Sequence, residues 1–537
     1  MTFLERSYTL FPFLYFTAAR PGARLLMVTD HPERMQIPFN FLGIEPVFWP
    51  ARSAEKRFRQ AAAAPVEFIT PENFTGFRGH FDAICIDLEH SRGTGILSRV
   101  HELLAPRGSI IWLDWAASGR EVWRNLPWYF GWRRGSFPRE RELLSRLGRG
   151  GFSADWHFLI EPGLSKPRYL VLPGFGTDIP ALSESPLKRR LLRKGFFYLQ
   201  AHPQVIVASA AGSASPGARE GGLAGKAIRQ LFPAVAASAA PARFLRQAYI
   251  STTGVLLLRV SNGQKTCFIR FPLTEHSLQR VQNQASLANF LHQQGAALTP
   301  RPVALHPEPA LPAYVEEGIS GRSMERAFTE GSREAALELF RKTQEAIRQI
   351  HQQFGRVMAF REGEFNAYIQ PKLAAIEGKL PAHPQNRAAM QRIAEFLFAE
   401  LRDKKMLAGL AHGDFKIGNC LFDSRGNVAG IIDWDMGSRD ELALVDIASL
   451  LGRSIRQRHR LSLPGLLKSA GQPGEEFFPL CRDYFAATGT TPVNPFTTLL
   501  LYWIDRSYKQ IAFDEQTDPR WLTANVYPVI ERIESLI

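Results

Sequence analysis

The sequence predicts two unlike halves, an α/β part followed by an α+β part, on three observations. Near the N-terminus, short apolar runs alternate with helix-length segments. A small, Gly/Ser-rich stretch without periodicity, Ala208–Gly225, then breaks the pattern and reads as a linker. Beyond it, pairs of short strands give way to long amphipathic helices. At 537 residues the chain exceeds one ordinary core. The expected parts are 1–207, the linker 208–225, then 226–320 and 321–537.

In the first part, Arg24–Thr29, Pro46–Trp49, Ala83–Asp87 and Ser109–Asp114 read as buried strands. Their separation by helical stretches predicts a mainly parallel sheet. Thr9–Ala19 is apolar but short, follows Glu5 and Arg6, and is interrupted by Pro12, so it reads as a folded helix rather than an export signal. No apolar run reaches the ~18 residues of a membrane span. The four cysteines, Cys85, Cys267, Cys420 and Cys481, share no close spacing, which excludes a clustered zinc site and points to a reducing, cytoplasmic compartment.

A net charge of +14 favours an anionic partner. Two basic–aromatic stretches, Glu121–Phe137 and Lys188–Tyr198, fit peripheral contact with the inner face of a membrane or stacking on sugars. The reading favoured over either is a Trp-rich core flap beside an ordinary solvated basic helix. No nucleic-acid-binding signature accompanies them, and nucleic acid is not expected.

The most informative stretch is residues 411–435, A-H-G-D-F-K-I-G-N-C-L-F-D-S-R-G-N-V-A-G-I-I-D-W-D. Asp414 sits on a tight loop after Met406–Leu410, five residues before Asn419. An apolar strand Cys420–Phe422, a polar turn Asp423–Asn427 and a second strand Val428–Ile432 follow, ending on Asp433. Neighbouring strands thus carry Asn419 and Asp433 to one edge, where both can hold Mg²⁺. Phosphoryl transfer needs positioning, metal and charge neutralisation more than covalent chemistry. Asp414 is the candidate base, and Lys416 is placed to touch a γ-phosphate.

H-G-D-x-x-x-x-N followed by I-I-D-W-D resembles the aminoglycoside phosphotransferase and choline kinase family, relatives of the protein kinases. The resemblance covers roughly the last 300 residues and implies a two-lobed protein-kinase-like domain using ATP and Mg²⁺. It implies a phosphate-covering turn at Ser251, Thr252, Thr253 and Gly254, ahead of paired strands whose other turn is Ser261–Lys265. It implies an ion pair orienting the nucleotide, for which the sequence offers Arg270 and Gln284 in place of lysine and glutamate, with Glu275 as an alternative partner. It implies adenine contacts from the backbone of Glu316, Glu317 and Gly318. Asp446 matches an aspartate expected to buttress the catalytic loop or His412, and His351 reads as structural. Asp435 reads as solvated. The aromatics Phe477, Phe478, Tyr484, Tyr502, Trp503 and Tyr508 are weak acceptor-site candidates.

The run F-D-A-I-C-I-D-L-E-H, the segment S-R-V-H-E-L-L-A-P-R-G-S-I-I-W-L-D-W and residues 140–173 resemble the later strands and closing hairpin of class I S-adenosylmethionine-dependent methyltransferases, which implies a Rossmann-like domain. The first strand here leads into V-T-D-H-P-E-R without glycine, and the second ends F-W-P-A-R without an acid. The cofactor would lack its close-approach loop and ribose partner, although Asp30 or Glu33 could compensate. A degenerate domain that does not bind S-adenosylmethionine is expected.

The function expected is ATP- and Mg²⁺-dependent phosphorylation of a hydroxyl on a small molecule or glycan, such as a sugar, amino sugar or amino alcohol. The alternative is a non-catalytic pseudokinase joined to a pseudo-methyltransferase, serving as a binding or assembly module in surface-polysaccharide biosynthesis.

Overall fold

The structure, a computed structural model, describes residues 23–29, 45–50, 67–68, 74–87, 94–114, 138–161, 169–171, 204–210, 222–233, 241–251, 253–303, 313–469, 474–512 and 519–537. Thr9–Ala19, Asp30, Glu33, Thr252 and both basic–aromatic stretches lie outside the described residues. Two compact units form: residues 1–281 with 303–317, and residues 282–302 with 318–537.

The first unit is built on one twelve-stranded sheet. Its strands are β1 (Arg24–Thr29), β2 (Glu45–Pro50), β3 (Glu67–Phe68), β4 (Phe81–Asp87), β5 (Leu104–Asp114), β6 (Phe152–Glu161), β7 (Tyr169–Val171), β8 (Gln204–Ala210), β9 (Leu245–Ile250), β10 (Val255–Ser261), β11 (Thr266–Pro272) and β12 (Tyr314–Glu317). The four strands read from the sequence are all present. With β3 they pair in parallel in the order β3-β2-β1-β4-β5. Alternate side chains serve opposite faces, and both faces are covered. Leu25, Met27, Ala83, Cys85 and Ile111 enter one apolar cluster, while Leu26, Val28, Ile84, Ile86 and Ile110 enter another. Such two-sided burial explains why these strands read as continuous apolar runs rather than as alternating ones.

The rest of the sheet is antiparallel. The expected closing hairpin is β6–β7, in register Leu159↔Val171. Strand β8 inserts between β5 and β6 and pairs antiparallel with both. Ala208–Ala210, expected at the start of the linker, therefore belong to a strand, and Gly222–Gly225, expected at its end, begin helix Gly222–Leu231. Small side chains misled the reading: Ala208 packs in the core at 0% exposure. The sheet also runs through the expected boundary, since β7 pairs with β9 (Tyr169↔Tyr249, Leu170↔Ala248). The turn between β10 and β11 is the expected Ser261–Lys265, closed by Asn262 Oδ1, which accepts from the Gln264 and Lys265 amides.

The second unit is mainly helical. We label its main helices α1 (Arg333–Phe354), α2 (Pro384–Leu401), α3 (Leu444–His459) and α4 (Pro495–Ala512). The Ser332 hydroxyl caps α1 by accepting from the Ala335 amide. Phe340, Ala346, Ile347 and Ile350 of α1 are buried in the unit's core, with Leu337 packed at its edge. Two small sheets lie among the helices. One holds β13 (Arg322–Ser323), β16 (Cys420–Phe422) and β17 (Val428–Ile431); the other holds β14 (Arg356–Ala359), β15 (Lys405–Ala411) and β18 (Ser438–Leu442).

All four cysteines are buried and unlinked. Cys420 sits in β16, and burial pushes its thiol well above the ordinary range, so it is inert packing. Among the described residues, no helix is long and apolar enough to cross a membrane.

Candidate active site

Strand β15 ends at Ala411 and delivers a loop, His412–Lys416, to the edge where β16 and β17 begin and end. The loop is held from below by Asp446 near the start of α3. Its carboxylate, 0% exposed, accepts from the amides of His412 (2.7 Å) and Gly413 (2.8 Å) and meets His351 Nε2 at 3.0 Å. His351 Nδ1 in turn contacts the Tyr484 hydroxyl at 2.7 Å. Burial alone would raise the Asp446 pKa; the His351 hydrogen bond and the loop's donors outweigh it and keep the group ionised. The expected buttress is thus present, and His351 is structural.

His412 itself is fully buried, packed against Trp434 in a tilted ring pair 4.6 Å between centroids. Its Nε2 faces the Ile432 carbonyl at 2.9 Å, and its Nδ1 accepts from the Asp414 amide at 3.3 Å. That pattern requires the neutral imidazole with the proton on Nε2. Burial depresses its pKa and keeps it neutral. Gly413 adopts φ +83°, and an added Cβ would meet the Met436 carbonyl oxygen; both facts demand glycine. The Lys509 ammonium of α4 donates to the Gly413 carbonyl and to Asp505 (2.6 Å), which also binds Lys372 (3.0 Å).

Asp414 has both oxygens engaged: Lys416 Nζ lies 2.5 Å from Oδ2 and an Arg453 guanidinium nitrogen 3.3 Å from Oδ1. Desolvation opposes the charge, but Lys416, Arg453 and the more distant Arg506 hold the carboxyl well below the usual range. Asn419, 6% exposed, donates its amide nitrogen to the Asp414 carbonyl at 3.0 Å. That contact leaves its Oδ1 for a cation. The Asn419 carbonyl accepts from the Ile432 amide at 2.9 Å, tying the two strands together one residue before Asp433. Asp433 sits at φ 72°, a left-handed conformation that Asp tolerates better than most residues. Asp414, Lys416, Asn419 and Asp433 are thus brought to one loop–strand edge.

An amide oxygen and a carboxylate are hard donors that suit Mg²⁺, which takes one or two protein ligands and completes its shell from phosphates and water. Among the described residues, no group of three or more His, Cys, Asp or Glu side chains forms a metal cage. A two-ligand site fits that chemistry.

In the first unit, Ser251 and Gly254 close their own turn. The Gly254 amide donates to Ser251 O at 3.2 Å, and the Ser251 hydroxyl accepts from Val255 N at 3.1 Å and contacts Thr253 Oγ1 at 2.8 Å. These contacts hold the turn closed on itself. Arg270 on β11 pairs with Glu316 on β12 at 3.1 Å, with both side chains largely buried. Glu275 is exposed at the start of helix Glu275–Gln293. The strand register, Phe268↔Glu316 and Arg270↔Tyr314, brings Glu316 beside Arg270. Glu317 pairs with Lys265 at 2.6 Å, and Gly318 follows the strand directly. Gln284, in the second unit, is 1% exposed.

Other expectations change as well. Asp435 is buried, not solvated, on the short turn Trp434–Met436, where its carbonyl accepts from Asn283. Phe477, Tyr484, Tyr502 and Trp503 are core residues, so they do not line an acceptor pocket. Sequence reasoning missed Arg453, Arg506 and Lys509. Only their position on helices packed beneath the loop reveals them.

Residues 254–477 match the phosphotransferase enzyme family. Similar solved structures include the aminoglycoside-3′-phosphotransferase of type VIII (19% identity, 48% of this chain, 88% of that chain, TM-score 0.32). A GDP complex of an aminoglycoside 2′-phosphotransferase IIIa mutant is 13% identical over 57% of this chain and 95% of its own (TM-score 0.38). The bifunctional kinase–methyltransferase WbdD is 13% identical over 99% of this chain and 92% of its own (TM-score 0.25). No curated protein matches the chain. The C-terminal half of the chain carries a phosphotransferase-family domain.

Proposed function

We propose that this domain transfers the γ-phosphoryl group of ATP to a hydroxyl of a small molecule or glycan, with Mg²⁺ held by Asn419 and Asp433. The observation that carries the reading is the Asp414–Asn419–Asp433 edge. Its polar groups sit in one register on a loop that Asp446, His412, Gly413 and Lys509 fix from behind. Preorganisation of this kind is what phosphoryl transfer demands of a protein. A bound Mg²⁺ would neutralise charge on the phosphates. Asp414 orients the acceptor hydroxyl and takes its proton; its low basicity suits a late transfer, after the loose transition state has placed little demand on the base. Lys416 can exchange its contact with Asp414 for a γ-phosphate oxygen. By the family resemblance we assign nucleotide contacts to Arg270, which pairs with Glu316, to the turn 251–254 and to the backbone of 316–318.

For the first part, the strand order β3-β2-β1-β4-β5 supports a Rossmann-like reading. We assign it a scaffolding or recognition role without S-adenosylmethionine. One observation favours the competing pseudokinase: the Arg270 charge is already met by Glu316.

The test is ADP release by the full chain with MgATP and a panel of sugars, amino sugars, sugar acids, sugar phosphates and amino alcohols. Release stimulated by one acceptor class supports transfer. Nucleotide binding without stimulated release by any class favours the pseudokinase.

The pH dependence follows from two depressed pKa values. Asp414 titrates below its ordinary value, so its ionised form persists as pH falls to about 4. The acid limb of kcat above pH ~5 should therefore not move in Asp414→Glu. His412, neutral and buried, favours folding above its ordinary pKa of about 6.5. That contribution falls as pH drops toward its depressed folded value. Thermal melts should show stability declining below pH ~6.5.

A further inference from the structure

The helices α3 and α4, of which α3 brings Arg453 to Asp414, carry three guanidinium groups that few carboxylates meet among the described residues. Arg453 reaches Asp414 Oδ1, yet its buried Nε has no hydrogen-bond partner among the described residues. Arg456, one turn along α3, is engaged by neutral acceptors, the Leu461 carbonyl (3.2 Å) and the Tyr502 hydroxyl (3.1 Å). Arg506 of α4 donates to Gln510 at 3.2 Å and forms no ion pair among the described residues. Burial first, and the neighbouring Arg453 second, lower its pKa. Glu325, whose carboxylate accepts from Gln457 at 2.6 Å, is the other anion in reach of Arg453.

Lys416 and Arg453 meet Asp414, and Arg506 feels the charges of both Arg453 and Arg456, so among the described residues positive charge is in local excess here. Burying cations costs free energy unless an anion meets them. Guanidinium is the group that matches planar or tetrahedral oxyanions through forked hydrogen bonds. We propose that Arg453, Arg456 and Arg506 bind an anionic group, a phosphate or carboxylate, carried by the acceptor whose hydroxyl is phosphorylated at Asp414. This rests on the phosphotransfer reading and selects within it. The acceptor oxygen forms a bond to the γ-phosphorus, the bond to the bridging oxygen of ADP breaks, and the hydroxyl proton passes to Asp414 and then to solvent. The anionic group of the acceptor stays intact at the arginines. A polycationic acceptor such as an amino-sugar oligomer would be repelled.

Titration calorimetry of inorganic phosphate, and separately of acetate, into the nucleotide-free full chain at constant ionic strength tests this. The same titrations are made on Arg506→Gln, Arg456→Gln and Arg506→Lys, with circular dichroism checking the fold. Saturable binding of one anion to the wild type, at least tenfold weaker in either Gln variant and partly retained in Arg506→Lys, is expected. Which anion binds more tightly separates a phosphate-bearing from a carboxylate-bearing acceptor. No saturable binding, or equal binding in all variants, overturns the proposal. Affinity for MgATP should stay within twofold in Arg506→Gln; an equal loss there would assign the arginines to the nucleotide and overturn the acceptor assignment. Arginine-dependent anion binding in a chain that does not bind MgATP would instead sink the phosphotransfer reading and leave an anion site.

Discussion

Replacing Asp414 by asparagine is expected to lower phosphotransfer by roughly 10²–10⁴-fold, the range for a lost acid–base group. Asparagine keeps the side chain's shape and an acceptor oxygen for Arg453, so the loop's supports are untouched. Those supports, from Asp446, Lys509 and Asn419, bind the backbone rather than the Asp414 carboxylate. The loss should therefore fall on kcat, with KM for the nucleotide little changed and the melting temperature close to wild type. Full activity in Asp414→Asn would exclude this residue from the reaction. A loss matched by unfolding would show that the Lys416–Asp414–Arg453 cluster is structural first.

The largest stability effect belongs to Asp446. Asp446→Ala strips two buried amides and a buried imidazole of their common acceptor. Removing one partner from such a buried network costs about 3–5 kcal/mol. At roughly 2–4 °C per kcal/mol for a unit of this size, the melting temperature of the second unit should fall by about 6–20 °C. Calorimetry on the full chain reads this directly. A change of only a degree or two would mean that Asp446 does not carry the catalytic loop.

The two residues show why part of the site could be read from sequence and part could not. Asp414 and Asn419 lie five positions apart on one loop, and Asp433 ends the next strand, so their spacing alone encodes their meeting. Asp446 follows soon after and was found through the same motif. Arg453 and Arg506 approach Asp414 from two different helices, and Lys509 reaches Gly413 across 96 residues of sequence. Such contacts follow from helix packing and leave no local pattern. Arg270 teaches the same lesson. Glu316, which it meets, lies 46 residues away on the neighbouring strand, brought there by the register of β11 against β12.

In the fold, the parallel strands were legible because burial on both faces makes them uniformly apolar. Strand β8 was not, because its alanines and serines resemble a spacer. The inward aromatics of the last third were misread for a related reason. Composition marks Tyr484 and Tyr502 as ring-bearing and polar-tipped, but only the structure shows their hydroxyls bonded to His351 and Arg456 in the interior.

Thermal unfolding of the full chain with and without MgATP, on the wild type and on Asp433→Asn, is the most direct test of the central claim. Asparagine tolerates the left-handed backbone at this position and removes only the charge. Nucleotide at a hundred times its Kd should stabilise the wild type by about 2.7 kcal/mol. The account predicts that this gain depends on Mg²⁺ and is lost in Asp433→Asn. No stabilisation of the wild type, or an equal gain in both proteins, would contradict a metal–nucleotide site at the Asp414–Asn419–Asp433 edge.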